Sequence, residues 1–356
     1  MKPNSKVKTV FVFNWWLNSN GGGVKKHNIE LVNSLQRDYG LMCHVMYRNG
    51  DDENSTKLHR NFFSRIFQII SFLSISKPRS VVIEGGIILA FSCLLYKYLV
   101  NKKCYLIYTL HTYPQDTYKM KKYVLGLILK KYNYIIYISN NLQNIHSKLY
   151  GYNFGAKERI IKPCIFNQKE TVEKNFEEHK FDILVVGLLS NKTSILGSKL
   201  VIDSLPKILE LYPRTKIIFT SNGRYKSVIQ KYVSSKGLDT NVSFVGFVKD
   251  LDKLYSECDV FLYTTYGTGM PLSIIEAMSK KCAIMASKVG GIPEIFEDNK
   301  EGFCFENSIE DLTNTLIKFL KDSNLRLNFG NNAYTRFENE FDSIHLSRNY
   351  YNLIVS

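Results

Sequence analysis

Short apolar runs rich in Val, Ile, Leu, Tyr and Phe recur along the chain, separated by longer stretches of mixed apolar and polar residues. In the first half these runs are Val10–Asn14, Met42–Tyr47, Val81–Glu84, Cys104–Leu110 and Tyr134–Ser139. Their apolar positions are continuous rather than alternating, which is the pattern of strands buried on both faces. A glycine loop and a helix over Val24–Tyr39 follow the first run, and helical stretches lie between the others. The second half repeats this grammar. Strands are predicted at Asp182–Gly187, Lys216–Thr220, Val242–Val245, Val260–Tyr263 and Ala283–Ala286, and helices at Leu200–Leu211, Tyr225–Lys236, Leu251–Glu257 and Leu272–Lys280. Strand–helix alternation of this kind predicts parallel sheets covered by helices. A polar stretch over Pro163–Glu178 marks a boundary. The expected fold class is therefore α/β, two doubly wound Rossmann-like domains in tandem, residues 1–166 and 167–340. Ligands of such domains bind outside the carboxyl ends of the strands, and for a tandem pair the cleft between domains is the expected place.

Composition agrees with this picture and narrows it. The chain has 356 residues, 45% hydrophobic and 22% charged, enough apolar content for two cores and without a low-complexity segment or repeat. Its seven cysteines include no Cys-x-x-Cys pair and sit mostly in apolar runs, so neither a disulfide framework nor a zinc site is expected, and a reducing cytosol is. The N-terminus has no signal-peptide pattern. The longest apolar run, Ile87–Val100, is broken by Lys97 and is shorter than the roughly 20 residues that span a bilayer. A cytoplasmic protein, soluble or peripheral on the membrane, is expected. The net charge of +15 is unevenly placed: residues 1–166 hold 24 Lys and Arg against 8 Asp and Glu, whereas residues 167–356 hold 23 against 24. The first half is expected to meet an anionic partner, a nucleic acid or a membrane surface.

The segment richest in chemistry runs from Thr264 through Gly267, Gly269 and Met270-Pro-Leu-Ser273 to Glu276-Ala-Met278. A strand ends at Tyr263, glycines let the backbone approach a ligand closely, and Pro271 suits the first turn of a helix. The amides around Met270–Ser273 would then favour an anion. Glu276, about one turn further on, is placed to accept hydrogen bonds from a ribose diol. The alternative is a solvated helix residue, but the flanking Ile274, Ile275, Ala277 and Met278 describe a buried helix, in which an idle carboxylate is costly.

This segment, with Cys282–Ser287 and Gly290-Gly-Ile-Pro-Glu294, resembles the family 4 retaining glycosyltransferases of GT-B fold. The resemblance implies two Rossmann-like domains facing across a cleft, with the first on the acceptor side and the second holding a nucleotide-diphosphate sugar. It implies that Glu276 holds the nucleotide ribose. Thr268 stands where the family has a first Glu that contacts the donor sugar, and it keeps a hydrogen-bonding group there without the charge. The loop at Gly21, Gly22 and Gly23 resembles the family's N-terminal glycine loop near the donor phosphate. His111 matches the family's His beside the transferred sugar, with a positioning or transition-state role; Ser139, at the end of its run, reads rather as a helix N-cap. The stretch to Gly246, Phe247 and Val248 resembles the one whose backbone reads the base, and the segment near Ser343–Ile354 resembles the family's last helix, which packs back on the first domain.

The family's diphosphate ligands, an Arg after the first Gly of a loop and a Lys before the second, are replaced here by Leu188, after Gly187, and Leu196. A leaving diphosphate needs compensating charge. Lys192 and Lys199, read as part of the same loop, are expected to supply it, with Lys25, Lys26 and Arg224 as further candidates. No Asp-x-Asp motif is present, and no metal or other cofactor is expected. Two segments, Arg60–Ile70 and Lys119–Lys131, join Lys and Arg to aromatic and aliphatic residues in the manner of helices that lie on anionic bilayers. No nucleic-acid motif accompanies them, so no nucleic-acid partner is expected. The expected function is a metal-independent, retaining glycosyltransferase acting on a saccharide or lipid-linked acceptor in O-antigen, capsule or other surface-polysaccharide synthesis, peripheral on the cytoplasmic membrane face. Its rivals are a catalytically silent subunit of the same fold and a sugar-nucleotide epimerase.

Overall fold

A computed structural model describes residues 8–17, 22–111, 119–166, 180–187, 189, 192–220, 223–248, 250–267 and 269–356. The chain divides into two compact units, Met1–Phe166 with Phe341–Ser356, and Asn167–Glu340.

The first unit is built on β1 (Lys8–Trp15), α1 (Gly22–Tyr39), β2 (Met42–Asn49), β3 (Thr56–Lys57), α2 (Phe62–Ser76), β4 (Ser80–Glu84), α3 (Ile87–Leu99), β5 (Tyr105–Leu110), α4 (Lys119–Leu129), β6 (Tyr134–Tyr137), α5 (Asn140–Tyr150) and β7 (Glu158–Ile160). Its strands pair in parallel in the order β3-β2-β1-β4-β5-β6-β7. Strand order reverses between β1 and β4, which places a ligand crevice at their carboxyl ends. The continuous apolar runs are the reason: β4 and nearly all of β5 are buried along their length. Helix α1 turns the stripe His27, Leu31, Leu35, spaced four residues apart, onto the sheet. Ser139 does cap α5, accepting a hydrogen bond from the Leu142 amide at 3.1 Å, and Gly151 closes that helix at φ 63°.

The second unit comprises β8 (Lys180–Val185), α6 (Lys192–Leu211), β9 (Arg214–Phe219), α7 (Lys226–Ser235), β10 (Val242–Phe244), α8 (Asp252–Glu257), β11 (Val260–Tyr263), α9 (Leu272–Ser279), β12 (Ala283–Ser287), β13 (Gly302–Phe305), α10 (Ile309–Lys321) and α11 (Ser323–Arg336). The parallel order β10-β9-β8-β11-β12-β13 reverses between β8 and β11. The final helix, α12 (Ser343–Val355), belongs to the first unit and packs on α1. Tyr351 stacks on Tyr39 with ring centroids 4.0 Å apart, and Ser347 donates to Asp38 at 2.6 Å. No described helix is long and apolar enough to cross a membrane.

Candidate functional site

In the second unit the crevice between β8 and β11 is framed by the chain leaving each strand. The loop from Thr264 to Met270 is held by a ring of side-chain hydrogen bonds from distant segments. Thr265 donates its amide to Ser287 Oγ at 3.0 Å, Ser287 donates to Asn307 Oδ1 at 2.7 Å, and Asn307 Nδ2 returns to the Thr265 carbonyl at 2.9 Å. Gly269 sits at φ 151°, where a side chain is disfavoured, and its carbonyl accepts the Gly291 amide at 3.1 Å. The Gly290–Gly291 segment thus braces the loop rather than standing apart from it. Thr268 and Leu188 lie outside the described residues.

The head of α6 lies against this loop. A Cβ on Gly197 would stand 2.6 Å from the Thr264 carbonyl oxygen, and one on Gly267 would stand 3.3 Å from Thr193 Oγ1. Glycine at 197 is what lets helix and loop meet. Helix α6 begins at Lys192, so the expectation that Lys192 and Lys199 share a loop is corrected: both are helical. Lys192 is exposed at the helix head, while Lys199 stands two turns on, about 10 Å along the axis. The Lys199 Nζ lies 4.8 Å over the Tyr232 ring. Lys192 is therefore the better placed of the two for an anion at the helix head, and Leu196 is half exposed on the same helix. The Gly-Ser-Thr content of this segment hid its helical start. Arg224 lies over the Tyr225 ring at 4.8 Å, and Lys25 and Lys26 belong to the first unit, on α1. Gly187 is exposed just beyond β8.

Helix α9 starts at Leu272 with Pro271 before it, and Pro271 offers no side-chain cap to the first turn. Met270 and Leu272 are buried and anchor the turn, while Ser273 is half-buried. Glu276 is half-buried one turn in, and its Oε2 accepts a hydrogen bond from the Tyr255 hydroxyl at 2.9 Å. Tyr255, on α8, is 1% exposed and also reaches the Ser273 carbonyl at 3.3 Å. Burial first, and the Glu276 charge second, push the Tyr255 hydroxyl well above its ordinary range, so it stays protonated and donates. Glu276 is thereby oriented by a residue 21 positions away that the sequence pattern does not single out. On the other side, β10 leads into Gly246 at φ 78° and an exposed Phe247, with Val248 half-buried. Phe244, stacked on Phe219 at 5.2 Å, fixes where that turn begins.

In the first unit His111 follows β5 directly, at the carboxyl edge. Its ring meets that of His27 edge-on at 4.5 Å. Both nitrogens of His27, and Nε2 of His111, are buried without a hydrogen-bond partner among the described residues. Burial lowers His27 to about 4, and burial, with His27 second, holds His111 well below the usual histidine range. Both rings are neutral at physiological pH, so they offer hydrogen bonds rather than charge. Gly22, at φ 55°, and the exposed Gly23 form the first residues of α1, the helix that carries His27. Nearby, Thr109 and Tyr350 are joined at 2.7 Å, which fixes α12 beneath the same edge. Among the described residues no group of three His, Cys, Asp or Glu side chains is placed to hold a metal ion.

Residues 167–336 match the family model described as glycosyl transferases group 1. The O-antigen biosynthesis glycosyltransferase WclY of Escherichia coli is 24% identical over 272 residues, 72% of this chain and 73% of that protein. The GalNAc-alpha-(1->4)-GalNAc-alpha-(1->3)-diNAcBac-PP-undecaprenol alpha-1,4-N-acetyl-D-galactosaminyltransferase of Campylobacter jejuni is 25% identical over 198 residues, 55% of this chain and 54% of that protein, so the match spans about half its length. Among solved structures, Anabaena Alr3699/HepE in complex with UDP superposes with a TM-score of 0.83 at 16% identity, covering 98% of this chain and 100% of that one. At that identity the likeness shows the fold, which is GT-B.

Proposed function

We propose, from the match of residues 167–336 to the glycosyl transferases group 1 model, that the chain moves a sugar from a nucleotide-diphosphate donor to a saccharide or lipid-linked acceptor in the synthesis of an O-antigen, capsule or other surface polysaccharide. The observation that carries this reading is Glu276, held by Tyr255 at the head of α9 beside the β8–β11 crevice. A half-buried carboxylate there accepts the two hydroxyls of a ribose, while the uncapped first turn of α9 and the exposed Lys192 favour the diphosphate. The neutral His27–His111 pair offers uncharged hydrogen bonds to a sugar. Transfer proceeds with retention and without a bound metal, the leaving charge being met by helix amides and lysine. Incubation with a panel of UDP-, GDP- and TDP-sugars and an undecaprenyl-diphosphate saccharide tests this. Acceptor-dependent nucleotide release that survives EDTA, with an α-linked product from an α-linked donor, supports it; nucleotide binding without turnover on any pair returns the silent-subunit reading, and free epimerised donor the epimerase.

The same reading places the first unit on an anionic membrane surface. Helix α2 supports it in an altered form. Arg65 is not a headgroup contact: it is 3% exposed and donates inward to the carbonyls of His59 and Arg60. Opposite the buried stripe Arg65, Ile69, Leu73 lie Phe63, Phe67 and Ile75, exposed by 69%, 72% and 82%. Helix α4 likewise exposes Met120, Tyr123 and Leu127. Apolar side chains that enter the headgroup region, with Lys77, Lys130 and Lys131 exposed beside them, make the attraction only partly electrostatic. Vesicle co-sedimentation that vanishes entirely at high salt contradicts this form of the reading.

A further inference from the structure

The reversal of strand order in the first unit lies between β1 and β4, and the residue that ends β4 there is Glu84. It is 7% exposed. Its Oε2 accepts from the Asn14 amide at the end of β1 and from Asn28 Nδ2 on α1, both at a long 3.4 Å. Its Oε1 accepts no hydrogen bond among the described residues, and no Lys or Arg among them pairs with it. Asn28, itself 1% exposed, is anchored by a second bond from Nδ2 to the Trp15 carbonyl at 3.2 Å. Gly85 follows, at φ 157°, where a Cβ would stand 2.6 Å from Leu89, so the chain turns sharply away and leaves the carboxylate at the strand end.

A buried carboxylate with no cation among the described residues and two stretched hydrogen bonds contributes little to the fold and costs desolvation. Two neighbours along the same carboxyl edge also lack partners among the described residues: both ring nitrogens of His27, 2% exposed and next to Asn28 on α1, and Nε2 of His111, which follows the adjacent strand β5. Polar groups left unpartnered at a strand-order reversal are what a polyhydroxyl ligand would complete.

We propose that Glu84, held by Asn14 and Asn28, is a hydroxyl-binding subsite for the saccharide acceptor, its Oε1 accepting a hydrogen bond from a sugar hydroxyl. This rests on the glycosyltransferase reading above. The titratable groups facing Glu84 are Tyr108 of β5, whose hydroxyl donates to the Gly85 carbonyl, and Tyr350 of α12; burial pushes both far up, so neither ionises near neutrality. Burial raises the Glu84 carboxyl to about 7, and a carboxylate accepts more strongly than a carboxyl. Hydroxyl binding therefore strengthens as pH rises through neutrality.

The test is saturation-transfer NMR on the full chain saturated with UDP, using the methyl α-glycosides of glucose, galactose and N-acetylglucosamine as probes at pH 6 and pH 8. The wild type is expected to bind at least one glycoside, more tightly at pH 8. Glu84→Gln, which keeps the shape and an acceptor oxygen, is expected to weaken that binding at least tenfold at pH 8 and to abolish its pH dependence, with UDP affinity unchanged. Equal glycoside binding by the two proteins, or none by the wild type, overturns the proposal. So does displacement of the glycoside by UDP-glucose but not by UDP, which assigns the hydroxyl to the donor sugar. A wild type that does not bind UDP overturns the reading on which the proposal rests, a failure distinct from that of Glu84.

Discussion

Glu84→Gln also makes a sharp prediction about stability. The carboxyl rises from an ordinary 4.5 to about 7 because burial disfavours its charge, and the two hydrogen bonds at 3.4 Å offset only part of that. Below pH 4.5 the group is protonated in both the folded and unfolded chain and costs nothing. Between pH 4.5 and 7 the unfolded chain ionises while the folded one holds its proton, so stability falls as pH rises. Above pH 7 the folded protein carries the full cost, on the order of 3 kcal/mol for a shift of this size. Glutamine removes the charge but keeps an acceptor for Asn14 and Asn28. The variant should match the wild type at pH 4.5 and exceed it by about 3 kcal/mol at pH 8. Both tryptophans, Trp15 and Trp16, lie in the first unit, and Trp16 is buried with its Nε1 donating to Asp52 at 2.8 Å. Urea unfolding followed by tryptophan emission therefore reports the unit that holds Glu84. His27 and His111 titrate in both proteins and cancel in the difference. A stability difference that is the same at pH 4.5 and pH 8, or a variant less stable at both, would show that Glu84 is ionised at no cost and refute the reasoning.

Tyr255→Phe removes one charge-assisted hydrogen bond from Glu276, worth about 1.5–3 kcal/mol; UDP should bind more weakly while 2′-deoxy-UDP, lacking a ribose hydroxyl, changes less, and equal losses by calorimetry would argue for a purely structural tyrosine. Glu276→Ala should weaken UDP markedly, and unchanged affinity and turnover would remove it from the site. Gly197→Ala forces a Cβ to 2.6 Å from the Thr264 carbonyl, an overpacking cost of about 1–3 kcal/mol that should lower the second unit's melting temperature and its UDP affinity together. His27, lowered from 6.5 to about 4, contributes stability above pH 6.5 that is lost as pH falls toward 4; in Glu84→Gln, tryptophan-detected stability should therefore fall between those limits, and a flat profile there contradicts a neutral, buried His27. Phe63→Ser with Phe67→Ser should cut the salt-resistant part of binding to anionic vesicles several-fold without changing UDP affinity, and full retention in co-sedimentation would leave α2 without a membrane role.

Ten strands, the Ser139 cap and the loop–helix–Glu276 block could be read from the amino-acid pattern, because each is written in consecutive residues under short-range rules of apolar period and turn chemistry; the short edge strands β3, β7 and β13 could not, being too brief to carry an apolar run of their own. Strand ends shifted by a residue or two, and the start of α6 moved eight residues toward the N-terminus, since Gly and Ser in its first turns weaken a propensity that packing against the Thr264 loop overrides. Which distant groups meet was set by packing alone. Tyr255 reaches Glu276 across 21 residues, the Thr265–Ser287–Asn307 ring joins three segments, and Glu84 comes to rest between Asn14 and Asn28 with one oxygen unclaimed. Arg65 belongs with these: its charge counts toward a basic surface in the sequence, yet the fold turns it inward and leaves Phe63 and Phe67 facing outward. Periodicity tells which face of a helix is apolar, but α2 carries apolar residues on every side and its one charge on the buried one, so only its packing on α3 chooses the side that is covered.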